Sequence, residues 1–474
     1  MNKVRKIWIL FAAAIALLAA IACNGNSDVA AQTNETAGIP ETPALTETPD
    51  APVSATPVVT EPPTPDPTPE PTATPTPEPT PVPTPQLITI GAVGDIMLSG
   101  AMVEYAKTED GTYDFSILFL PVRELFESVD LMCGNLEVPL AGEESGYGTI
   151  KGAKSSSFNA PDSLLDPLKE YGLDLLTTGN NHVFDRGIKG LYRTIEVVRA
   201  AGFYQTGTYL NEEDRMTPCI IDVNGIKIGI VAATRLMNQG FIDTNRQDAY
   251  KAFGYYMNDG MKLTSHCKDS IARTRAAGAE FVILFAHWDF ENDKPTSSDT
   301  KALAKQALAA GADCIIGSHP HRIKGAEYVT VEREDGPYTG LVLYSLGNFS
   351  AQMNFNCMVG LFAKITLQKD FATGKVTLYE AGVLPTLSMR RDDGKRRWIT
   401  VVPAYADPSL ITGLDIPLTE AELKTIRSAR ELAFRRLGQV EGLEILDEST
   451  ASDETGQTEP TETTVQPSEE PTLD

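Results

Sequence analysis

From residue 87 onward the chain repeats one pattern: a short apolar run, a small polar cluster, then a stretch whose apolar positions recur every three or four residues. The runs Leu87–Val93, Val129–Cys133, Leu173–Thr177, Ile226–Ala233, Phe281–Ala286 and Cys314–Gly317 read as strands, and Leu341–Ser345, Leu361–Leu367 and Val376–Val383 follow. Several are continuous Val/Ile/Leu stretches, as expected of strands covered on both faces. The helical spacing falls on Pro121–Ser128, Ser163–Tyr171, Lys189–Ala201, Leu263–Ala277 and Ser298–Ala310. Such alternation predicts an α/β fold with a largely parallel sheet early on. The last three strands have no helix between them and are expected to pair antiparallel. Thr419–Arg436 reads as a final helix, with Thr419 as N-cap and Glu422 three residues later.

The ends of the chain follow different rules. Lys3, Arg5 and Lys6 precede an apolar run from Ile7 to Ala22, which has the order of a secretory signal and is short for a membrane span. Ala20-Ile21-Ala22-Cys23 then resembles a bacterial lipobox, so residues 1–23 are expected to be a lipoprotein signal peptide with Cys23 lipidated. A plain signal peptide and an uncleaved anchor are the competing readings. Residues 24–86 are dominated by Thr, Pro, Ala, Glu and Val, a composition that buries no core and favours an extended spacer. At about 3.1 Å per residue it would reach well over 100 Å from a membrane. Residues 448–474 are Thr/Glu/Pro-rich and read as a disordered acidic tail. The core, 87–447, is long for one ordinary domain and is read as a single large one with insertions.

The formal net charge of −24 is mostly a property of these tails, which carry seventeen carboxylates and no Lys or Arg. With the three N-terminal cations also set aside, the core stands at −10. That argues against nucleic acid as a partner, because phosphate backbones are bound through clustered Lys and Arg. It leaves room for an anionic substrate held by a cation. Beyond Cys23 the cysteines are Cys133, Cys219, Cys267, Cys314 and Cys357, an odd number without CxxC spacing, so no disulfide framework is expected.

The chemistry concentrates where strands end. Four of the five histidines sit in polar motifs directly after apolar runs: His182 in Gly179-Asn180-Asn181-His182, His287 before Trp288, and His319 and His321 in Gly317-Ser318-His319-Pro320-His321. Strand C-termini are where an open α/β sheet places its ligands. Imidazole binds borderline metals and titrates near neutrality, so the histidines propose a metal site or an acid–base site. The i, i+2 spacing of His319 and His321 points both rings one way if the backbone is extended, which Pro320 encourages. Gly94-Asp95 follows the first strand, and Gly134-Asn135-Leu136-Glu137 the second, with Asn135 and Glu137 on one face. Gly94 would let neighbouring backbone approach closely. Asp185 either orients His182 or caps the following helix. His266, in a helical polar stretch, reads as a surface residue.

Taken in order, Gly94-Asp95-Ile96-Met97, Asn135-Leu136-Glu137, Asn180 to Gly187, His287-Trp288, Gly317 to His321 and Tyr344-Ser345-Leu346-Gly347-Asn348-Phe349 resemble the signature of the CapA family, associated with poly-γ-glutamate and other capsule biosynthesis. The resemblance runs from about Leu87 to about Leu384. It implies a calcineurin-like metallophosphoesterase fold, a sandwich of two β-sheets flanked by helices. It also implies that Asp95, Asn181, His287, His319 and His321 belong to a metal site and that His182 is the catalytic histidine; Asn135 and Glu137 are read as further metal ligands and Asp185 as the partner of His182. Met97 stands where a typical phosphoesterase carries a histidine. The usual bridging aspartate is replaced by the Asn135/Glu137 region, which leaves open which oxygen bridges. Asp289 and Glu291 are either further oxygen ligands or solvated.

The expected function is that of a lipid-anchored, extracytoplasmic protein acting in capsule biosynthesis or export. Its chemistry, if catalytic, is metal-assisted hydrolysis or transfer at a phosphoester or acyl bond. Mixed N/O ligation implies Mn, Fe or Zn, one or two ions. The implied partners are a surface polymer or its precursor, the membrane through the lipid anchor, and a capsule synthesis or export complex. A general metallophosphoesterase and a non-catalytic polymer-binding scaffold are the alternatives.

Overall fold

The structure is a computed structural model, and it describes residues 85–149, 157–238, 255–256, 258–259 and 261–447. The expected signal peptide with Cys23, the expected linker apart from Pro85 and Gln86, and the expected acidic tail lie outside the described residues.

The strands, in chain order, are β1 (Gln86–Ile96), β2 (Leu131–Leu136), β3 (Leu175–Thr177), β4 (Tyr204–Thr206), β5 (Cys219–Val223), β6 (Ile226–Thr234), β7 (Tyr255–Tyr256), β8 (Asn258–Asp259), β9 (Lys262–Leu263), β10 (Phe281–His287), β11 (Cys314–Ser318), β12 (Ile323–Arg333), β13 (Gly336–Leu346), β14 (Asn348–Ser350), β15 (Val359–Lys369), β16 (Val376–Asp392), β17 (Arg397–Pro403) and β18 (Leu443–Ile445). One sheet has the order β17-β16-β15-β1-β2-β3-β4, with β14 beside β1 and β18 beside β16. The other has the order β12-β13-β11-β10-β6-β5, with β7 beside β6. The four main helices are α1 (Gly187–Ala200), α2 (Ser265–Ala276), α3 (Ser298–Ala309) and α4 (Glu420–Leu437).

The period-2 rule of a strand explains the layering. Ile88, Ile90 and Ala92 of β1 share one apolar cluster with Phe281, Ile283 and Phe285 of β10, so these faces of the two sheets pack on each other. Their sequence neighbours face outward. Val93, Met132 and Phe362 join Phe119, Leu165 and Leu168 of the helical segments beside the first sheet. Val282, Leu284 and Ile315 join Cys267 and Ile271 of α2 and Leu303 and Leu308 of α3 beside the second. Continuous apolar runs thus become strands buried on both faces. The result is an α/β sandwich of two sheets flanked by helices, the architecture expected from the motif order. The capping box of α4 also forms: the Thr419 hydroxyl accepts from Glu422 N at 3.3 Å, and Thr419 N donates to Glu422 Oε2 at 2.8 Å.

Parallel pairing holds within β1-β2-β3-β4 and from β6 through β10 and β11 to β13. Antiparallel pairing of the last three predicted strands is only half right. β15 and β16 pair antiparallel, but the Leu341–Ser345 run belongs to β13 in the other sheet, parallel to β11. The chain crosses between sheets at Gly347, whose φ of 71° no β-branched residue tolerates easily, and β14 then lies parallel to β1.

That crossing explains Gly94. The Asp95 N–H donates to the Gly347 carbonyl at 3.1 Å, and a Cβ at Gly94 would sit 1.8 Å from that same oxygen. Because the obstacle is backbone, the clash cannot be relieved by a rotamer change. Gly94→Ala is expected to cost about 3 kcal/mol or more through overpacking, read as a lowered urea midpoint. An unchanged midpoint would show that the sheets separate there freely.

Candidate metal centre

The parallel strands of both sheets deliver their C-terminal ends to one place. Asp95 and Asn135 are penultimate in β1 and β2 and stand in register. Glu137 follows β2, and Asn181 and His182 lie just beyond β3. From the second sheet, His287 ends β10, and His319 and His321 follow β11. All eight of these side chains are buried, as is that of Asp185. Residues far apart in sequence therefore meet in one cluster: the His319 backbone N–H donates to Asp95 Oδ2 at 3.1 Å across 224 positions, and His321 Nδ1 lies 3.7 Å from the same oxygen.

Two groups of potential ligand atoms overlap in the cluster. Glu137, His287 and His319 form one, and Asp95, Glu137 and His321 the other, with the atoms of each group within 4.8 Å of one another. Glu137 is common to both. Its Oε1 lies 3.4 Å from His287 Nε2, and its Oε2 lies 3.9 Å from His321 Nδ1. Neither carboxylate oxygen has a hydrogen-bond partner, although the residue is fully buried. A buried carboxylate in that state is costly unless a proton or a cation compensates it.

The nearest ring nitrogens are engaged with other partners as well. His287 Nδ1 is engaged with Ser318 Oγ at 2.9 Å, so its Nε2 faces Asn181 Oδ1 at 2.7 Å and His319 Nδ1 at 3.2 Å. His321 Nδ1 faces Asn348 Oδ1 at 2.9 Å and Asp95 Oδ2 at 3.7 Å. Ring nitrogens, carboxylate oxygens and the Asn181 amide oxygen together make the N/O donor set that a divalent cation takes.

Without a cation, electrostatics act oppositely on the carboxyl and on the rings. Burial, reinforced by the Asp95 charge, pushes the Glu137 carboxyl well above the usual range. Burial and then the neighbouring histidines hold His287 well below an ordinary imidazole. His319 is lowered to about 3, again chiefly by burial. Both rings are therefore neutral at pH 7, the form that ligates metal. The residues fit a metal.

The backbone reaches this geometry by a route the i, i+2 argument misses. His319 and His321 have φ of 98° and 56°, so the segment is not extended. Their ring centroids still lie 6.0 Å apart. Non-glycine residues in this region cost about 1–3 kcal/mol each and persist where surroundings hold them. Gly317 permits the close packing beneath, since a Cβ there would lie 2.0 Å from the Tyr344 carbonyl oxygen.

Asn135 enters the site with its amide already engaged. Its Nδ2 donates to Asp95 Oδ1 at 2.7 Å, and its Oδ1 accepts from Thr177 Oγ1 at 3.2 Å and Asn180 Nδ2 at 3.3 Å. His182 lies at the edge, with Nε2 3.9 Å from Glu137 Oε1 and Nδ1 2.7 Å from Asp185 Oδ2. Asp185 Oδ2 also accepts from Phe158 N at 2.7 Å, so Asp185 orients the ring rather than capping α1. A cavity of about 320 Å³ opens here, lined by His182, His321, Met97, Phe158, Glu291 and Gln352, among others. Glu291 Oε1 is 3.9 Å from His319 Nε2. Buried Asp289, with φ of 68°, leaves its Oδ2 without a hydrogen bond and belongs to neither group. His266 is exposed on α2.

Three contributors carried no role in the sequence reading: Ser318, Asn348 and Asn238. The last places Oδ1 3.2 Å from Asn181 Nδ2 and Nδ2 3.4 Å from His182 Nδ1. Ser318 and Asn348 lie inside recognised motifs, and that was their only signal. Asn238 lies in no motif.

Comparison with known proteins agrees with the motif order. The family model described as "Bacterial capsule synthesis protein PGA_cap" matches residues 89–353. Capsule biosynthesis protein CapA of Bacillus anthracis is 29% identical over 264 residues, covering 55% of this chain and 59% of that protein. PGA biosynthesis protein CapA of Bacillus subtilis (strain 168) is 25% identical over 265 residues, covering 56% and 63%. The chain thus spans less than two thirds of either relative. A solved structure described as "Structure of PhoD" covers 75% of this chain and 79% of its own at 9% identity, with a TM-score of 0.26. With its model matching more than half of the sequence, the bacterial capsule synthesis protein family, to which the CapA proteins belong, is the family of this chain.

Proposed function

We propose that this protein acts in the synthesis or export of a bacterial capsule polymer through metal-assisted hydrolysis or transfer at a phosphoester or acyl bond. The observation that carries the reading is Glu137: a fully buried carboxylate, both oxygens unpartnered, shared by two groups of potential ligands. Glu137, Asp95, His287, His319, His321 and the Asn181 amide oxygen would hold one or two divalent ions, with Mn, Fe or Zn suited to this N/O set. Bound metal would supply Lewis-acid polarisation of a substrate oxygen and acidify water. Asn135 would fix Asp95 in place. The His182 ring, held through Nδ1 by Asp185 and lining the cavity, would use Nε2 to give a proton to the leaving oxygen.

The lipid anchor at Cys23 and the Pro/Thr-rich spacer would place this site outside the cytoplasm, at the membrane and within reach of a polymer or its precursor. Partner proteins would be those of a capsule synthesis or export complex.

Metal analysis tests the centre. Purified wild-type protein, loaded and then desalted, is expected to retain one or two equivalents of Mn, Fe or Zn. His319→Ala is expected to bind at least tenfold more weakly, since even outer-shell partners of a metal site are worth about 10–100-fold. Metal-free wild-type protein after loading would overturn the reading.

A further inference from the structure

A second cavity, of about 310 Å³, adjoins the first and has a different character. Glu291 and His321 line the first cavity, and their sequence neighbours Asn292 and Arg322 line the second. Both therefore share the walls built by the loop after β10 and the segment after β11. The second is lined by six cationic side chains against two carboxylates, Asp293 and Glu327, in a chain whose net charge is −24.

These cations are only partly neutralised. Lys324 is buried and serves as a clamp, its ammonium donating to the Asn292 and Lys294 carbonyls at 2.9 and 2.6 Å. Lys301 pairs with Glu327. Arg322 and Arg436 both turn to one carboxylate, Asp293, at 3.0 and 2.5 Å. Lys294 and Arg435, exposed on the rim, have no carboxylate partner among the ion pairs of the described residues. Two guanidiniums sharing one acid, beside two unpaired cations, leave a positive field focused in a cleft. Guanidinium forks and ammonium groups recognise oxyanions, carboxylate or phosphate.

We propose that this cavity is an anion subsite, holding a carboxylate or phosphate group of the same chain-like substrate whose scissile bond lies at the metal centre. The claim deepens the proposed function and rests on it for the word "same". It makes the substrate an anionic polymer, bound at two points: the reacting group at the centre and a charged group past Glu291.

The test uses the full chain and the double variant Lys294→Gln/Arg435→Gln, which changes only exposed side chains. Binding of fluorescently labelled oligo-γ-glutamate, of inorganic polyphosphate and of neutral dextran would be measured by fluorescence anisotropy, with and without chelator. The expected result is at least a tenfold weaker affinity of the double variant for an anionic probe, a shallower salt dependence, and unchanged metal content. Whichever anion shows the loss identifies the source of the oxyanion. Equal binding of anionic probes by wild type and variant, or dextran binding as tight as theirs, overturns the subsite. Should the metal centre fail its own test, chelator-insensitive anion binding that the variant still loses would uphold the subsite alone.

Discussion

Glu137→Gln is expected to strip the protein of its metal and, at the same time, to make the chelated protein harder to unfold. The two effects have one origin. The Glu137 carboxylate is fully buried without a hydrogen-bond partner, close to His287 and His321. With metal bound, its charge is compensated. Without metal, burial and the Asp95 charge raise its pKa well above normal. A carboxyl raised in the folded state stabilises fully below its unfolded value, about 4.3, and loses that contribution as pH rises through the folded value. His287 and His319 act oppositely: their folded values are lowered, so their contribution is full above about 6.5 and is lost as pH falls from there. At pH 8 the histidines are neutral in both states, and the carboxylate is the group left under strain. A neutral amide of the same shape relieves it. The expected gain is about 1–3 kcal/mol, or roughly 1–4 °C in melting temperature at the usual unfolding entropy per residue for a core this large. Metal content and calorimetry of the chelated protein at pH 8 check both halves. A variant that keeps its metal, or melts below chelated wild type, would refute the shared-ligand role.

How much of this was legible from the chain depends on where the information lies. Strands such as Phe281–His287 are written locally, because both faces are apolar and the run stops at the polar motif that enters the site. The convergence of His182, His287, His319 and His321 was legible too, since each follows a strand and parallel strands share one end. Pairing was less so. Nothing near Leu341 tells which sheet β13 joins; the decision is made at Gly347, by a turn whose acceptability depends on Gly94 lying against it. The same holds for side chains that orient ligands. Ser318 and Asn348 look like ordinary polar residues until His287 and His321 are seen against them. Glu137 could be named from its motif, but its lack of any hydrogen-bond partner exists only once both sheets close over it. A one-residue motif states which atom is available; the fold states what it lacks.

The second large effect belongs to His182. His182 lines the cavity, with Nε2 3.9 Å from Glu137 Oε1 and Nδ1 tied to Asp185 at 2.7 Å. The ring thus lies beside the candidate ligands and supplies no atom to either group. His182→Ala should therefore leave metal content unchanged and lower turnover by about 10²–10⁴-fold, the range for removing a positioned general acid. The rate would be followed with small phosphodiester and phosphomonoester substrates after metal is restored to chelated protein. Asp185→Asn keeps the ring but replaces an acceptor with an amide that can also present its N–H, so the Nδ1 proton is no longer fixed. Its loss should be smaller, about 10–10³-fold, and expressed in turnover more than in substrate affinity. The ordering discriminates among the readings of this family fold. A scaffold that merely binds polymer would export it normally with alanine at 182, whereas a strain whose surface polymer disappears with that one substitution, metal content unchanged, needs proton transfer at Nε2.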